Sequence, residues 1–118
     1  MSAAAKSVYY FGFYLYAIGL GLIFIPNLFL STFQLPETNE VWIRVVGILA
    51  FLIGFYYHHM GIANFKSFYM LTVIARSVVF LAFLCFVALK FASPMLAGFG
   101  VVDLLGAAWT YMALKKEK

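Results

Sequence analysis

Charged residues are scarce in this chain of 118 residues, and their scarcity indicates the class of protein. Only 10% of the residues are charged, whereas 66% are hydrophobic and 20% are aromatic. A soluble domain typically has about a quarter charged residues and about half apolar ones. Because a soluble fold of this size has too little interior to hide so much apolar surface, the sequence predicts that lipid is the solvent.

Cysteine pairs, metal-binding spacings and basic clusters are also lacking, and each absence excludes a class of function. The one cysteine, Cys85, cannot form an internal disulfide and is interpreted as a small apolar residue, either buried or facing lipid. No CxxC or Cys/His spacing indicates zinc, and no cofactor is predicted. The eight Lys and Arg residues form no groove-sized patch, which argues against nucleic-acid binding.

Four apolar stretches are each long enough to cross a bilayer, whose apolar core of about 30 Å needs roughly 20 helical residues. The predicted transmembrane helices span about 7–25, 40–62, 67–91 and 94–114. Residues 28–35 follow a break at Pro26 and are predicted to continue the first helix beyond a kink or to lie in the interface. Ser93 and Pro94 are typical of an N-cap and a first helical position.

These patterns predict a single all-α domain over residues 1–118, an antiparallel bundle of four transmembrane helices. Four crossings place both termini on one side, and the basic residues are unevenly divided between the two sides. The termini side carries Lys6, Lys66, Lys115, Lys116 and Lys118. The other side carries only Arg44 and Lys90, and this difference favours cytoplasmic termini.

Glycine recurs at intervals that place it on one face of a helix. The glycines every seven residues are Gly12 and Gly19 in the first helix and Gly47, Gly54 and Gly61 in the second. One face of the fourth helix likewise carries small and polar residues, namely Gly100, Asp103, Ala107 and Thr110. Small residues let helix backbones approach closely in lipid. The pattern indicates packing within the bundle, with a homodimer seam as the alternative.

Two opposite charges, Arg76 and Asp103, lie deep inside apolar stretches. A helical rise of about 1.5 Å per residue places each about 13 Å from opposite surfaces, on antiparallel neighbouring helices. We therefore expect an Arg76–Asp103 ion pair, since arginine keeps its charge and its planar fork suits a carboxylate. The pair is interpreted either as a structural bridge or as a polar site for a proton, an ion or a ligand headgroup.

Five further residues complete the set of candidate ligand-binding residues. Thr72 lies one turn before Arg76 and is predicted to bond the helix backbone or the polar centre. Arg44 is predicted to extend toward water or inward toward Asp103. Tyr56, His58 and His59 lie near one end of the second helix, where the histidines are either interfacial residues or groups for proton exchange or headgroup binding. No catalytic residue and no metal site is predicted.

Several short patterns carry a family resemblance. They are Gly21…Pro26-Asn27-Leu28, Trp42-Ile43-Arg44-Val45-Val46-Gly47, Gly54-Phe55-Tyr56-Tyr57, Thr72-Val73-Ile74-Ala75-Arg76 and Asp103-Leu104-Leu105-Gly106-Ala107-Ala108-Trp109-Thr110. Together they resemble the small DoxX-like four-helix bacterial membrane proteins, many of unknown function. The resemblance covers most of the chain and implies a four-helix bundle in a bacterial inner membrane. A eukaryotic source would instead favour the endoplasmic reticulum, because residues 115–118 fit its dilysine retrieval pattern as well as an ordinary basic end.

Three functions are compatible with the sequence. The first is a non-catalytic bundle that binds membrane lipids or a hydrophobic small molecule, or that supports a membrane protein partner. The second is a small dimeric transporter that uses an intramembrane Arg/Asp centre. The third is a membrane enzyme that acts on a lipid or quinone, for which Arg76, Asp103, Tyr56 and the histidines would supply acid and base groups.

Overall fold

A computed structural model describes residues 1–116, which form five α-helices and contain no strand. The helices are α1 (Ala3–Phe24), α2 (Pro26–Thr32), α3 (Trp42–Ala63), α4 (Lys66–Ala88) and α5 (Pro94–Lys116). All but α2 are long and apolar enough to cross a membrane. The predicted all-α class and the four membrane-length helices are confirmed.

The first helix begins and ends at capping signals in the sequence. It starts at Ala3, earlier than predicted, because the Ser2 hydroxyl accepts a hydrogen bond from the Ala5 N–H at 3.1 Å. At Ile25 the backbone leaves the helical region, with φ −135° and ψ 56°. Pro26 then starts α2, where its missing N–H costs nothing. The segment after the break is therefore a separate short helix that begins two residues earlier than residue 28.

The end of α4 and the start of α5 are also set by the conformation and hydrogen bonds of nearby residues. Helix α4 stops at Ala88, three residues before the prediction, and Lys90 adopts a left-handed conformation with φ 64°. Helix α5 starts at Pro94 as predicted, and the Ser93 hydroxyl accepts a hydrogen bond from the Met95 N–H at 3.3 Å. The dilysine pattern extends beyond Lys116, so its last two residues lie outside the described part of the chain.

Helix α1 is the centre of the fold. It packs against α3 and α5 and makes smaller contacts with α2 and α4, while α4 packs mainly on α5. Helix α3 packs on α1 and makes no comparable contact with α4 or α5. The bundle is consequently open between α3 and α4, although a short turn at Asn64, in a left-handed conformation with φ 56°, joins these two helices.

The glycines of α1 and α3 form the seam between these helices. A Cβ atom on Gly54 would lie 2.8 Å from the Gly12 carbonyl oxygen, and one on Gly19 would lie 2.7 Å from the Gly47 carbonyl oxygen. Neither carbonyl can move without shifting its helix. In the structure these glycines pack within the bundle, as the first interpretation predicts, and the homodimer stays a prediction.

Large apolar side chains cover the outside of every long helix. Examples that are more than half exposed include Phe24, Leu49, Leu71 and Leu105. Cys85 is exposed as well, which is consistent with its interpretation as a small apolar residue that faces lipid. Such a surface suits hydrocarbon and not water, and it supports the interpretation as an integral membrane protein.

Candidate functional site

Arg76 is the central residue of the candidate site. It lies on α4, is only 3% exposed and is held by two threonines. Its Nε donates to the Thr72 carbonyl oxygen at 3.2 Å, and its Nη2 donates to the Thr72 hydroxyl at 2.9 Å and to the Thr110 hydroxyl at 2.8 Å. Thr72 thus takes both predicted roles, since its hydroxyl also donates to the Tyr69 carbonyl oxygen at 2.7 Å.

A chain of hydroxyl groups continues from Arg76 across α5 to α1. The hydroxyls of Thr110 and Ser7 lie 2.6 Å apart, and the Ser7 hydroxyl donates to the Ala4 carbonyl oxygen at 2.7 Å. Because the Ser7 proton is used on that carbonyl, Thr110 donates to Ser7 and accepts from Arg76. Each hydroxyl proton in this chain therefore points away from the guanidinium, and each oxygen turned toward Arg76 is an acceptor.

Aromatic rings complete the surroundings of the guanidinium. Its carbon atom lies 4.7 Å from the centroid of the Phe11 ring and 5.6 Å from that of the Tyr57 ring. Both rings stabilise a cation through their negative faces. Gly106 permits this arrangement, since a Cβ atom there would lie 3.0 Å from Arg76 Nη1 and 2.7 Å from the Phe11 ring.

The expected ion pair between Arg76 and Asp103 is not formed. Among residues 1–116, no carboxylate oxygen lies within 4.0 Å of the guanidinium, and the buried Nη1 has no hydrogen-bond partner. The guanidinium instead bonds Thr110, which lies seven residues, about 10 Å, beyond Asp103 on the same face of α5. The prediction placed the two residues by their backbone positions and left out the reach of the arginine side chain along the helix axis. The charge of Arg76 is instead balanced by neutral oxygens and by aromatic rings, an incomplete compensation for a buried ion.

Arg76 and Asp103 do line one common cavity of about 400 Å³, which we call the arginine cavity. Its other lining side chains are Phe11 and Leu15 from α1, Ile53, Tyr56 and Tyr57 from α3, and Phe68, Leu71, Thr72, Ala75 and Val79 from α4. The cavity occupies the gap between α3 and α4. It therefore combines an apolar, aromatic wall with two charged groups, a composition typical of small-molecule sites.

A second cavity of about 260 Å³, which we call the apolar cavity, lies toward α2. Its lining comes from α1, α2, the loop after α2, and α3 to α5, and includes Leu22, Phe29, Leu35 and Phe99. Within residues 1–116, Asp103 is its only charged lining residue. Asp103 and Leu15 line both cavities, so these side chains stand between the two spaces.

The other candidate residues lie outside the polar centre, apart from Tyr56, which is on the cavity wall. Arg44 is exposed and donates through Nη1 to the Ile23 carbonyl oxygen, so the alternative in which it reaches Asp103 is wrong. Its positive charge sits at the carboxyl end of α1, where a cation is stabilising. His58 and His59 line neither cavity.

The two histidines belong to an aromatic cluster between α1 and α3. Nδ1 of His58 lies 3.1 Å from the Tyr16 hydroxyl, and the His58 ring contacts Tyr9 and Phe13. The His59 ring contacts Phe55, with ring centroids 4.4 Å apart. The structure therefore does not bring the histidines together with Arg76 and Asp103 as one acid/base set.

Sequence reasoning missed four residues that surround the guanidinium: Ser7, Phe11, Tyr57 and Thr110. One usable signal was present, because Thr110 shares a helix face with Asp103 and is one of few polar residues within α5. The Ser7 contact could not be found in this way, since it joins residues 103 positions apart. Phe11 and Tyr57 were hidden among many aromatic residues.

Comparisons of the chain with protein-family models, curated proteins and solved structures gave no match. Within residues 1–116, no group of three or more His, Cys, Asp or Glu is placed to hold a metal ion.

Proposed function

We propose that this protein is an integral membrane protein that binds a lipid or another hydrophobic molecule in the arginine cavity. The observation that carries the proposal is the state of Arg76, which is 3% exposed and, among residues 1–116, has no carboxylate partner and no acceptor for Nη1. A buried charge without full compensation is costly, and a ligand oxygen would supply the missing partner. The rest of the cavity wall is mostly apolar and would receive the hydrophobic part of the ligand.

The position of the cavity supports a ligand that comes from the bilayer. The gap between α3 and α4 gives it a lateral opening, as these helices share a turn but little packing along their length. Helix α4 is also the least enclosed of the long helices. In an apolar stretch of 18 consecutive residues of α4, 11% of the residues are buried inside the protein, against 33% in the corresponding stretch of α1. A lipid can reach Arg76 through this opening without passing through water.

Native mass spectrometry of protein extracted gently from its own membrane tests the proposal. We expect the wild-type protein to retain a small molecule and the Arg76→Met variant to lose it. Lys6→Met is the matched control, since it removes an exposed cation from α1 that lines neither cavity, and it should retain the molecule. An empty wild-type protein, or equal retention by Arg76→Met, would refute the proposal.

A transporter is the second candidate, and one observation favours it. Asp103 lines both cavities, so a carboxylate stands where the space near α2 meets the space near Arg76. An ion or proton that crosses the bundle would pass this side chain. Flux measurements in proteoliposomes test this function, which requires transport that is lost in Asp103→Asn and kept in Lys6→Met.

We also propose a membrane location, an orientation and a family for this protein. We place the chain among the DoxX-like proteins that it resembles, in a bacterial inner membrane with both termini cytoplasmic. The excess of basic residues near the termini supports this orientation. Reporter fusions test it: a fluorescent protein fused after the last residue should be bright, and alkaline phosphatase at the same position should be inactive. The reverse pattern would overturn the orientation.

A further inference from the structure

Asp103 presents a second unsatisfied polar group to the arginine cavity. It is half-buried on α5, and among residues 1–116 its carboxylate receives no hydrogen bond and has no cation within 4.0 Å. Arg76, on the facing helix, keeps Nη1 unused. The two groups line the same space but do not touch. The cavity wall therefore contains a cationic residue, whose unused Nη1 is covered by neighbouring side chains, and an anionic acceptor. A ligand oxygen reaches Nη1 once a covering ring such as Phe11 shifts.

Both groups lie near the middle of their helices. Arg76 follows the start of α4 at Lys66 by about 15 Å, and Asp103 follows the start of α5 at Pro94 by about 13 Å, at about 1.5 Å per residue. These distances are measured from opposite ends of the bundle, so the two charges share the central part of an apolar layer about 30 Å thick. A ligand head that reaches them must enter the region where a net charge is most costly.

We infer that the arginine cavity selects an uncharged lipid head that carries both a hydrogen-bond acceptor and a hydrogen-bond donor. A carbonyl oxygen would accept from Arg76 Nη1, and a hydroxyl group would donate to the Asp103 carboxylate, as a monoacylglycerol head can do. This inference rests on the proposed function and adds the chemical class of the ligand to it.

The charge balance of the site is the reason for this choice. A carboxylate or phosphate head would satisfy Arg76, but it would bring a negative charge into the same cavity as Asp103. An amine head would satisfy Asp103 and be repelled by Arg76. An uncharged head with both functions satisfies the two residues at once. A zwitterionic head would do so only by bringing two further charges into the centre of the membrane, where each is costly.

The adjoining space accommodates the hydrophobic part of such a lipid. Leu15 and Asp103 stand between the apolar cavity and the arginine cavity, so a chain that starts at the polar centre can extend toward Leu22 and Phe29 once these two side chains move apart. Among residues 1–116, the remaining lining carries no charge that would compete for the head. A single chain needs a narrower passage between these side chains than two chains would, which favours a single-chain lipid.

A set of four probes with one oleoyl chain tests the inference. Monooleoylglycerol supplies both functions, methyl oleate supplies only the acceptor, oleate is an anion and oleylamine is a cation. Each is added to delipidated protein in a neutral detergent, and occupancy is measured by native mass spectrometry. We expect the wild-type protein to prefer monooleoylglycerol over each other probe by about tenfold, the effect of one hydrogen bond gained or one repulsion avoided.

Two variants should change this preference in opposite directions. Asp103→Asn leaves the site with one positive charge, so oleate should become the best probe. Arg76→Gln leaves one negative charge, so oleylamine should become the best probe. Lys6→Met should keep the wild-type ranking. Should Arg76→Gln fail to fold, the wild-type ranking and the change in Asp103→Asn still decide the question.

The outcomes separate this inference from the proposal on which it rests. A wild-type protein that prefers oleate or oleylamine, or that ranks all four probes equally, overturns the inference and leaves ligand binding intact. A natural ligand with a charged head, recovered from the membrane extract, overturns it in the same way. No binding of any probe and no retained molecule overturns both.

Discussion

Helix α3 meets its two neighbours in the chain in opposite ways. Toward α1 it presents Gly47, Gly54 and Gly61, and the two backbones approach until carbonyl oxygens occupy the places where Cβ atoms would be. Toward α4 it presents Ile53, Tyr56 and Tyr57, and the two helices leave a cavity of about 400 Å³ between them. Within one helix, the seam facing α1 makes a close contact and the side facing α4 makes an opening.

The difference has a simple cause in the size of the side chains. Glycines remove the obstacle to backbone contact, which is the main source of helix association in lipid. Helix α4 contains no glycine, so it cannot form such a seam with α3. Its inward positions instead carry Thr72 and Arg76, and Arg76 donates to Thr110 of α5 across the bundle, which holds α4 there. A rigid pair of helices therefore stands beside a more loosely enclosed one.

The largest effect is expected from filling the glycine seam. In Gly54→Leu the first added carbon would lie 2.8 Å from the Gly12 carbonyl oxygen, so the helices must separate. We expect a loss at the upper end of the range for overpacking, about 3 kcal/mol. The measurement is the free energy of unfolding in a dodecyl sulfate titration. Gly98→Leu is the control, since nothing lies within 4 Å of its Cβ position, and equal losses in both would contradict the seam.

A smaller loss is expected where glycine supports the polar centre. In Gly106→Ala the new methyl group would lie 3.0 Å from Arg76 Nη1 and 2.7 Å from the Phe11 ring, but both of these are side chains that can shift. We expect about 1–2 kcal/mol of destabilisation together with weaker retention of the ligand. Gly98→Ala on the same helix should change neither quantity. Normal retention in Gly106→Ala would show that Arg76 can move without consequence for the ligand.

The hydroxyl chain of Thr110 and Ser7 should add to the unfolding free energy about as much as one hydrogen bond does. Thr110→Val removes the donor to Ser7 and one acceptor of Arg76, and we expect a cost of about 1 kcal/mol. Ser7→Ala should cost a similar amount. The double variant should be less unstable than the sum of the two, by roughly 0.5–1 kcal/mol, because both single changes break the same bond. Strict additivity would argue that the 2.6 Å contact contributes nothing to stability.

The smallest effect on stability is expected from Arg76→Met, although it removes a buried charge. Removing one partner of a buried ion pair usually costs about 3–5 kcal/mol, but Arg76 has no such partner. The hydroxyl protons of Thr72 and Thr110 are already used on other oxygens, so Arg76→Met leaves no new unsatisfied donor there. We expect a change in unfolding free energy within about 1 kcal/mol and complete loss of ligand retention.

Asp103→Leu completes the comparison with Arg76→Met. If the two residues act independently in stability, the double variant should show the sum of the single effects. If either single variant lost several kcal/mol of unfolding free energy and the double variant regained it, the result would support the direct Arg76–Asp103 ion pair that the sequence predicts. The same unfolding titration, carried out on protein freed of ligand, measures all three variants.

Much of the fold could be predicted because its signals are local. Apolar length gives the four long helices, Pro26 and Pro94 mark a break and a start, and the seven-residue glycine interval marks the faces that pack. The ends of α1 and α4 were less accurate, since a cap at Ser2 and a left-handed residue at Lys90 depend on backbone conformation. The candidate site was predicted in part, with Arg76, Thr72, Asp103 and Tyr56 on one cavity but Arg44 and the histidines elsewhere.

The sequence by itself indicated an apolar solvent, the number of long helices and the near-central positions of Arg76 and Asp103 along α4 and α5, because hydrophobicity and helical rise act along a single segment. Only the tertiary structure decided which groups meet Arg76. The guanidinium extends along the bundle to Thr110, two turns beyond Asp103 on the same face of α5, and therefore makes no direct contact with Asp103. The gap between α3 and α4 likewise depends on how side chains on separate helices fit together, a property that no single segment contains.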